Sequence, residues 1–164
     1  MKAKHYLPII FSVVILLMMG CPVGLSYPLG EPGKEKIDKA LLGTWHCASE
    51  DSEVRRVKID KGQDNSYTVE VLERGEMYAL ETDKFEAWVT TVEGKNFFYL
   101  KPDQEDKYYH YYYHMDGSTL VSTDVSLLDG GVDAVTSTET LRSQVATSMR
   151  KTEWGEETLK WTAD

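Results

Sequence analysis

The alternation of apolar and polar residues between positions 44 and 126 constrains the fold more than any other feature of this sequence. The segment Ser66–Glu73, for example, reads Ser-Tyr-Thr-Val-Glu-Val-Leu-Glu, and short turns such as Glu93-Gly94-Lys95 separate segments of this kind. A period of two residues is typical of strands with one buried face, and turns this short join antiparallel neighbours. Seven strands are therefore predicted, at 44–50, 54–60, 66–73, 77–92, 96–101, 107–115 and 119–126.

The pattern changes period near residue 136. Thr136 and Glu139 have the spacing of a capping box. An apolar stripe at intervals of four residues follows, made of Leu141, Val145 and Met149. This predicts a helix of about three turns with one buried face. A last strand over 157–162 is expected to close the sheet against the first strand.

About eight strands with short turns and one helix in the C-terminal region predict a mainly β fold, an antiparallel up-and-down barrel. Closing the sheet into a barrel also removes its exposed edges. Ahead of the first strand, Ile37, Ala40 and Leu41 fall on one face of a short helix predicted over 35–42. With 164 residues, 41% of them hydrophobic, the chain has room for one domain, placed at 37–164.

The first 21 residues have the organisation of an export signal. Lys2 and Lys4 precede the apolar run Leu7–Met19, which at 13 residues is shorter than the ~20 needed to span a bilayer. The run ends in Gly20-Cys21, which resembles the bacterial lipobox, where a small residue precedes a lipidated cysteine. The resemblance implies that a signal peptide of residues 1–20 is cleaved and that acyl chains such as palmitate on Cys21 hold the protein on a membrane. A plain secretory signal or an uncleaved anchor is the alternative.

The residues that follow the signal, 21–36, include three Pro and three Gly. This composition works against regular secondary structure. It predicts a flexible tether with a mean reach on the order of 20 Å.

Cys47 is the second of two cysteines in the chain. If Cys21 carries lipid, Cys47 has no partner within the chain. It lies two residues after Trp45, so it shares the buried face of the first strand. A buried thiol is therefore predicted, and a Cys21–Cys47 disulfide is the competing interpretation.

The charge of the chain argues against two classes of partner. The formal net charge is −9, and without Lys2 and Lys4 of the signal segment 16 basic residues face 27 acidic ones, which gives −11. A surface of this sign is repelled by the phosphates of nucleic acids and by anionic head groups. We therefore expect no nucleic-acid partner, and membrane attachment through the lipid on Cys21 rather than through charge.

The sequence Gly43-Thr44-Trp45 follows the predicted short helix and opens the first strand. It resembles the Gly-x-Trp signature of lipocalins and their calycin relatives, and the whole chain is similar to uncharacterised bacterial lipoproteins with lipocalin-like domains. The resemblance implies an eight-stranded barrel closed at one end by Gly43 and Trp45, often with an apolar ligand inside. It also implies a basic residue packed on the tryptophan, for which Lys160 and Arg150 are the candidates.

The string Tyr108–His114 is the most unusual in the chain and places tyrosine rings on both faces of one strand. His110 and His114 would lie about 13 Å apart at ~3.3 Å per residue, too far to share a metal ion. The inward row is predicted to be the one with three tyrosines, because the other row would bury two histidines without evident partners. The predicted interior, which would line a ligand site, consists of Tyr67, Val69, Val71, Phe85, Ala87, Val89, Phe98, Leu100, Tyr109, Tyr111 and Tyr113. A plain barrel wall is the simpler interpretation of the same string.

No motif for catalysis, metal binding or a cofactor is present in the sequence. Asp124, Asp129 and Asp133 surround Gly130-Gly131, but their spacing does not match a calcium loop and fits an ordinary acidic loop. No catalytic residue, metal ligand or cofactor is assigned, and an enzyme is not expected.

Two functions are consistent with these features. The first is a lipid-anchored module of the bacterial cell envelope, exposed to the periplasm or the exterior, that binds a small apolar or aromatic ligand in its barrel. The second is a structural or protein-interaction lipoprotein with a filled barrel. The free volume inside the barrel separates them, because eight strands enclose either packed side chains or one small ligand. The sequence leaves the oligomeric state open, and a monomer is favoured.

Overall fold

The computed structural model describes residues 23–50, 52–76, 78, 80–125, 128–151, 154 and 158–164. These residues form a closed antiparallel barrel of eight strands in sequential order, with one α-helix on its outside. The strands are β1 (Gly43–Cys47), β2 (Val54–Lys61), β3 (Tyr67–Arg74), β4 (Lys84–Val92), β5 (Lys95–Pro102), β6 (Tyr109–Asp116), β7 (Thr119–Asp124) and β8 (Leu159–Ala163).

The last strand closes the barrel as predicted. β8 pairs with β7 on one side and with β1 on the other, where Trp161 lies opposite Cys47. One boundary prediction is wrong, because the long strand expected over 77–92 begins at Lys84. The chain ahead of it makes an ST turn at Thr82 and the Arg74–Asp83 ion pair instead of a ladder; residues 77 and 79 lie outside the described part.

The α-helix, α1, spans Thr138–Ser148 and begins one residue later than the sequence predicts. Ser137 is the N-cap: its hydroxyl accepts from the backbone N–H of Thr140 (3.1 Å), and the Thr140 hydroxyl accepts from that of Ser137 (2.9 Å). The capping box therefore uses Ser137 and Thr140 rather than Thr136 and Glu139, because Ser137 has the extended backbone that a cap requires. The described helices include none that is both long and apolar enough to cross a membrane.

The predicted helix over 35–42 is reduced to a 3-10 turn at Lys39–Leu41. Asp38 caps this turn by accepting from the Ala40 N–H (2.9 Å). The chain then turns into β1 at Gly43 without completing an α-helical turn.

The barrel has two ends that differ in their connections. At the end where β1 begins, named here the Trp45 end, short turns join β2 to β3, β4 to β5 and β6 to β7. At the opposite end, named here the far end, longer segments lead from β1, β3, β5 and β7 into the next strand, and the last of these contains α1.

Residues 25–36, named here the strap, run along the outer wall from the far end to the Trp45 end. Leu25 and Tyr108 exchange two backbone hydrogen bonds (2.9 and 2.8 Å) at the far end. The Gly33 carbonyl accepts from the Asn65 amide (3.0 Å) in the turn between β2 and β3, at the Trp45 end. A Cβ atom on Gly30 would lie 2.7 Å from the Thr90 side chain, so the close approach of strap and wall requires glycine there.

The strap corrects the prediction of a flexible tether over 21–36. Leu25 and Leu29 are buried, and the Leu29 carbonyl accepts from the Arg142 guanidinium of α1 (2.8 Å). Pro and Gly prevent regular structure here, but they do not prevent the two leucines from packing on an apolar wall. Cys21 and Pro22 lie outside the described residues.

Apolar side chains form two separate clusters, one inside the barrel and one outside it. The buried members of the inner cluster are Leu41, Trp45, Cys47, Ile59, Tyr67, Val69, Val71, Phe85, Ala87, Val89, Phe98, Tyr113, Leu120 and Trp161. The buried members of the outer cluster come from the strap, β4, β5, the β7–β8 segment and α1: Leu25, Leu29, Trp88, Val92, Phe97, Tyr99, Val125, Leu128, Leu141 and Val145. The apolar stripe predicted for the helix is thus confirmed, with Leu141 and Val145 fully buried.

Candidate functional site

Gly43 and Trp45, the residues that the sequence nominates for closure, lie at the Trp45 end of the barrel. Trp45 is buried, and its indole N–H donates to the Leu41 carbonyl of the 3-10 turn (2.9 Å). Gly43 has φ +137°, a backbone conformation that side chains of L-residues rarely adopt. Nothing crowds its Cβ position, so the backbone angle alone accounts for glycine at this bend.

The basic residue expected on Trp45 is not found among the described residues. Arg150 is mostly exposed and pairs with Glu93 (2.7 Å) in the turn between β4 and β5. Lys160 is exposed on β8, next to the inward-facing Trp161. No described Lys or Arg lies over the Trp45 ring, since the cation–π contacts of the described residues involve Tyr78, Tyr108 and Tyr112 instead.

Asp38 takes part in closing this end, a role that sequence reasoning missed. The Tyr113 hydroxyl donates to the Asp38 carboxylate (3.1 Å), while the Tyr67 hydroxyl donates to the Asp38 carbonyl (3.2 Å) and accepts from its N–H. Burial raises the pKa of Tyr67 to about 12, and burial with the nearby Asp38 charge raises that of Tyr113 further. An acidic residue just ahead of the Gly-x-Trp signature was the available signal.

The predicted inward row of β6 faces the interior. Tyr113 belongs to the inner cluster, whereas Tyr108 and Tyr112 pack on the outer one. The other residues nominated for a ligand site also lie in the inner cluster: Tyr67, Val69, Val71, Phe85, Ala87, Val89 and Phe98, with Leu100 packed against it.

The interior around these side chains is filled. Tyr67, Val69, Phe85, Val89, Phe98, Tyr109 and Tyr113 each expose 8% or less of their surface in a protein without ligand. A cavity large enough for a small molecule would leave its lining residues accessible to water, so these side chains pack against one another instead.

The far end of the interior is more polar. Tyr111 is half-buried there, opposite Asp124 of β7, and Tyr109 donates to the Glu105 carboxylate (3.2 Å). Burial, reinforced by the charge of Asp124, raises the pKa of Glu53. Burial also raises the pKa of Tyr111, and the neighbouring charges of Asp124 and Glu53 add to the shift.

The outward row of β6 holds a buried histidine. His110 is stacked on Tyr99 (ring centroids 6.1 Å apart), and neither of its ring nitrogens makes a hydrogen bond of ordinary geometry among the described residues. Burial lowers the pKa of His110 to about 3, opposed in part by the nearby backbone of Tyr27. The sequence predicted an energetic cost for a buried histidine without a partner inside the barrel. The structure has such a histidine on the outer face of the wall instead.

Two concavities of the described part lie at its surface. One is a polar cleft of about 590 Å³ that is lined by residues of the β2–β3 turn, β3, β4 and Asp103. The other, about 250 Å³, lies between the start of the strap and the segment around Asp133.

Metal and thiol chemistry have little support in the described residues. They contain no group of three or more His, Cys, Asp or Glu side chains arranged to hold a metal ion. Asp129, considered above for calcium, pairs with Lys151. Cys47 is a free and fully buried thiol, whereas Cys21 is outside the described part, so the structure does not test its lipidation.

Comparisons with known proteins add no further constraint. No protein-family model matches the chain, and neither the curated proteins nor the solved structures give a significant match.

Proposed function

We propose that the protein is a lipid-anchored lipoprotein of the bacterial cell envelope that acts through its outer surface, with a barrel filled by its own side chains. The anchor is Cys21, which follows a short apolar segment and Gly20. The barrel serves as a rigid body on the membrane, exposed to the periplasm or the exterior.

One observation carries this proposal. Most of the side chains nominated to line a ligand site expose 8% of their surface or less, although no ligand is present. The exceptions are Val71, at 9%, and the half-buried Leu100 and Tyr111. In addition, Asp38 satisfies the hydroxyls of Tyr67 and Tyr113, which would otherwise favour a polar ligand. A carrier needs free volume or unpaired groups in its interior, and this part of the barrel offers neither.

A second candidate is a small-molecule binder whose site is confined to the far end. Tyr111 is half-buried there, close to Glu53 and Asp124, and its ring and these carboxylates would suit an aromatic or amphipathic molecule with a hydrogen-bond donor. Such a ligand would be small, because the inner cluster fills the barrel below it.

Native mass spectrometry of the protein purified from its own host, in mild detergent, tests both candidates. We expect the mass of the chain from Cys21 onward with acyl chains and no further mass. A retained small molecule that is lost in Tyr111→Ala but kept in the matched outward variant Tyr112→Ala would replace the proposal with the second candidate. A chain without acyl mass would refute the anchor, and fractionation of Cys21→Ser should then show no change.

A further inference from the structure

The strap fixes where an anchor on Cys21 can lie relative to the barrel. Leu25 is the first of the described residues with a backbone hydrogen bond to the wall, and Cys21 precedes it by four residues. Four residues span at most about 14 Å, whatever their conformation. An acylated Cys21 therefore stays within about 14 Å of Leu25, at the far end of the barrel.

The attachment point is held firmly. Leu25 and Tyr108 exchange two backbone hydrogen bonds, and the Arg142 guanidinium binds the Leu29 carbonyl. The hydroxyl of Thr90 donates to the Glu35 carboxylate (2.6 Å) near the other end of the strap. Since these contacts bind the strap along its length, only the short segment ahead of Leu25 separates the anchor from the barrel.

The surface of the far end is also suited to contact with a membrane. Among the described residues, the exposed large hydrophobic side chains are Val23 (39%) and Leu72 (46%). Val23 lies between Cys21 and the attachment point, and Leu72 lies close to the end of β3, where that strand reaches the far end. Two apolar side chains at one end, on different parts of the rim, suit the boundary between head groups and acyl chains.

The charges of the far end neither drive nor forbid this contact. Asp83 pairs with Arg74 (2.6 Å) and Asp106 pairs with Lys101 (2.8 Å). Lys107 is exposed next to Gly24, and in the described part of the chain it makes no ion pair. The other acids of this end, including Asp103 and Glu76, repel anionic lipids, so the contact depends on the acyl anchor.

We infer that the far end of the barrel faces the membrane that holds the anchor, with Val23 and Leu72 at the lipid surface and the Trp45 end directed away. This orientation depends on the proposed acylation of Cys21. It makes the bilayer surface the partner of the far end and leaves the turns of the Trp45 end free for contact with other molecules of the envelope.

Fluorescence quenching in liposomes tests the orientation. The acylated protein is reconstituted in phosphatidylethanolamine and phosphatidylglycerol vesicles that contain a lipid with a nitroxide on its head group. A fluorescent maleimide is placed on Leu72→Cys at the far end or on Ser118→Cys in the β6–β7 turn. The two sites lie about 20 Å apart along the barrel axis, given ~3.3 Å per residue and strand tilts near 40°. We expect quenching at Leu72→Cys to be several-fold stronger than at Ser118→Cys.

A second pair of variants guards against misfolding of the first. Asp103→Cys at the far end and Asp116→Cys at the Trp45 end are both exposed and change the charge equally.

A long Gly/Ser insertion between Pro22 and Val23 should make quenching at the two ends equal, because a long flexible tether would then join the barrel to its anchor. The intact mass, measured first, reports whether Cys21 is acylated. Absence of acyl mass would overturn the anchor and the orientation together, whereas an acylated protein with equal or reversed quenching would overturn the orientation alone.

Discussion

The inner and outer layers of this barrel differ in whether their buried polar atoms have hydrogen-bond partners. Inside, the buried polar atoms of Trp45, Tyr67, Tyr113 and Trp161 all have partners, supplied by Leu41, Asp38 and Ser122. Outside, six buried polar atoms of the described residues have none: the Tyr99 hydroxyl, both His110 ring nitrogens, the Thr123 hydroxyl, the Gln144 carbonyl and the Trp154 indole N–H.

By this difference, the inner cluster is the part of the molecule whose buried polar groups are satisfied. A buried polar group without a partner costs about 1–3 kcal/mol, so the outer layer is less stable for the same apolar area. We therefore expect the inner cluster to set the stability of the barrel, and the layer formed by the strap and α1 to open at lower free energy. The predictions below test this ranking.

Trp45→Ala should give the largest effect, because it removes a buried ring and its hydrogen bond from the inner cluster. We expect a loss of about 3–5 kcal/mol in the free energy of unfolding, measured by urea titration. The matched change in the outer cluster, Trp88→Ala, should cost less, since α1 and the strap can shift to fill the space. A loss below about 1 kcal/mol for Trp45→Ala would place this ring on the surface.

His110 should make the protein sensitive to acid. Its pKa is about 3 when folded and near 6.5 when unfolded, so the unfolded state binds more protons between these values. Stability from neutral His110 is present above pH 6.5 and falls by about 1.4 kcal/mol per pH unit below it, or about 3 kcal/mol by pH 4. Burial raises the pKa of its stacked neighbour Tyr99 still further above this range, so that ring adds no charge beside His110.

Denaturant titrations between pH 4 and pH 7 measure this slope. His110→Phe should remove it, whereas His114→Phe, at an exposed position on the same row, should leave it unchanged. Carboxylates titrate in the same range, so the difference between wild type and variant is the relevant quantity. Equal slopes for wild type and His110→Phe would mean that folding leaves the pKa of His110 unchanged.

Removing one tyrosine hydroxyl from each cluster should give the smallest changes in the free energy of unfolding, and the two changes should differ clearly. Tyr113→Phe should cost about 1–2 kcal/mol, because it removes the hydrogen bond to Asp38. Tyr99→Phe should be neutral or stabilising, because its hydroxyl is buried without a partner. If thermal unfolding gives equal losses for the two variants, a buried water satisfies Tyr99 and the outer layer is as complete as the inner one.

Much of the barrel could be predicted because alternation along a strand directly records which face is buried. The opposite placements of Trp88 and Val89, the inward tyrosine row and the closing strand all follow from that period. The strap could not be predicted in this way. Leu25 and Leu29 have no period of their own, and their burial depends on an apolar outer wall that exists only once β4, β5 and β6 lie side by side.

The closing network illustrates a second limit. Asp38 lies 29 residues from Tyr67 and 75 from Tyr113, so no local pattern connects them. The hydroxyls of the inward tyrosines predicted a need for internal partners, but not the identity of the partner. The sequence correctly predicted that the row with the histidines faces outward. It did not predict that His110 would nevertheless be buried there, under the outer layer.

The strap also has a consequence for the order of folding. Pro28 and Leu29 bind side chains of α1 that lie 110 and 113 residues later in the chain, and Leu25 pairs with a strand 83 residues away. The strap therefore has no docking site until most of the polypeptide has been synthesised. Contacts of such large sequence separation form late and slowly. Until then Leu25 and Leu29 have no apolar wall to pack against, so the strap is the last part of the barrel to gain its contacts.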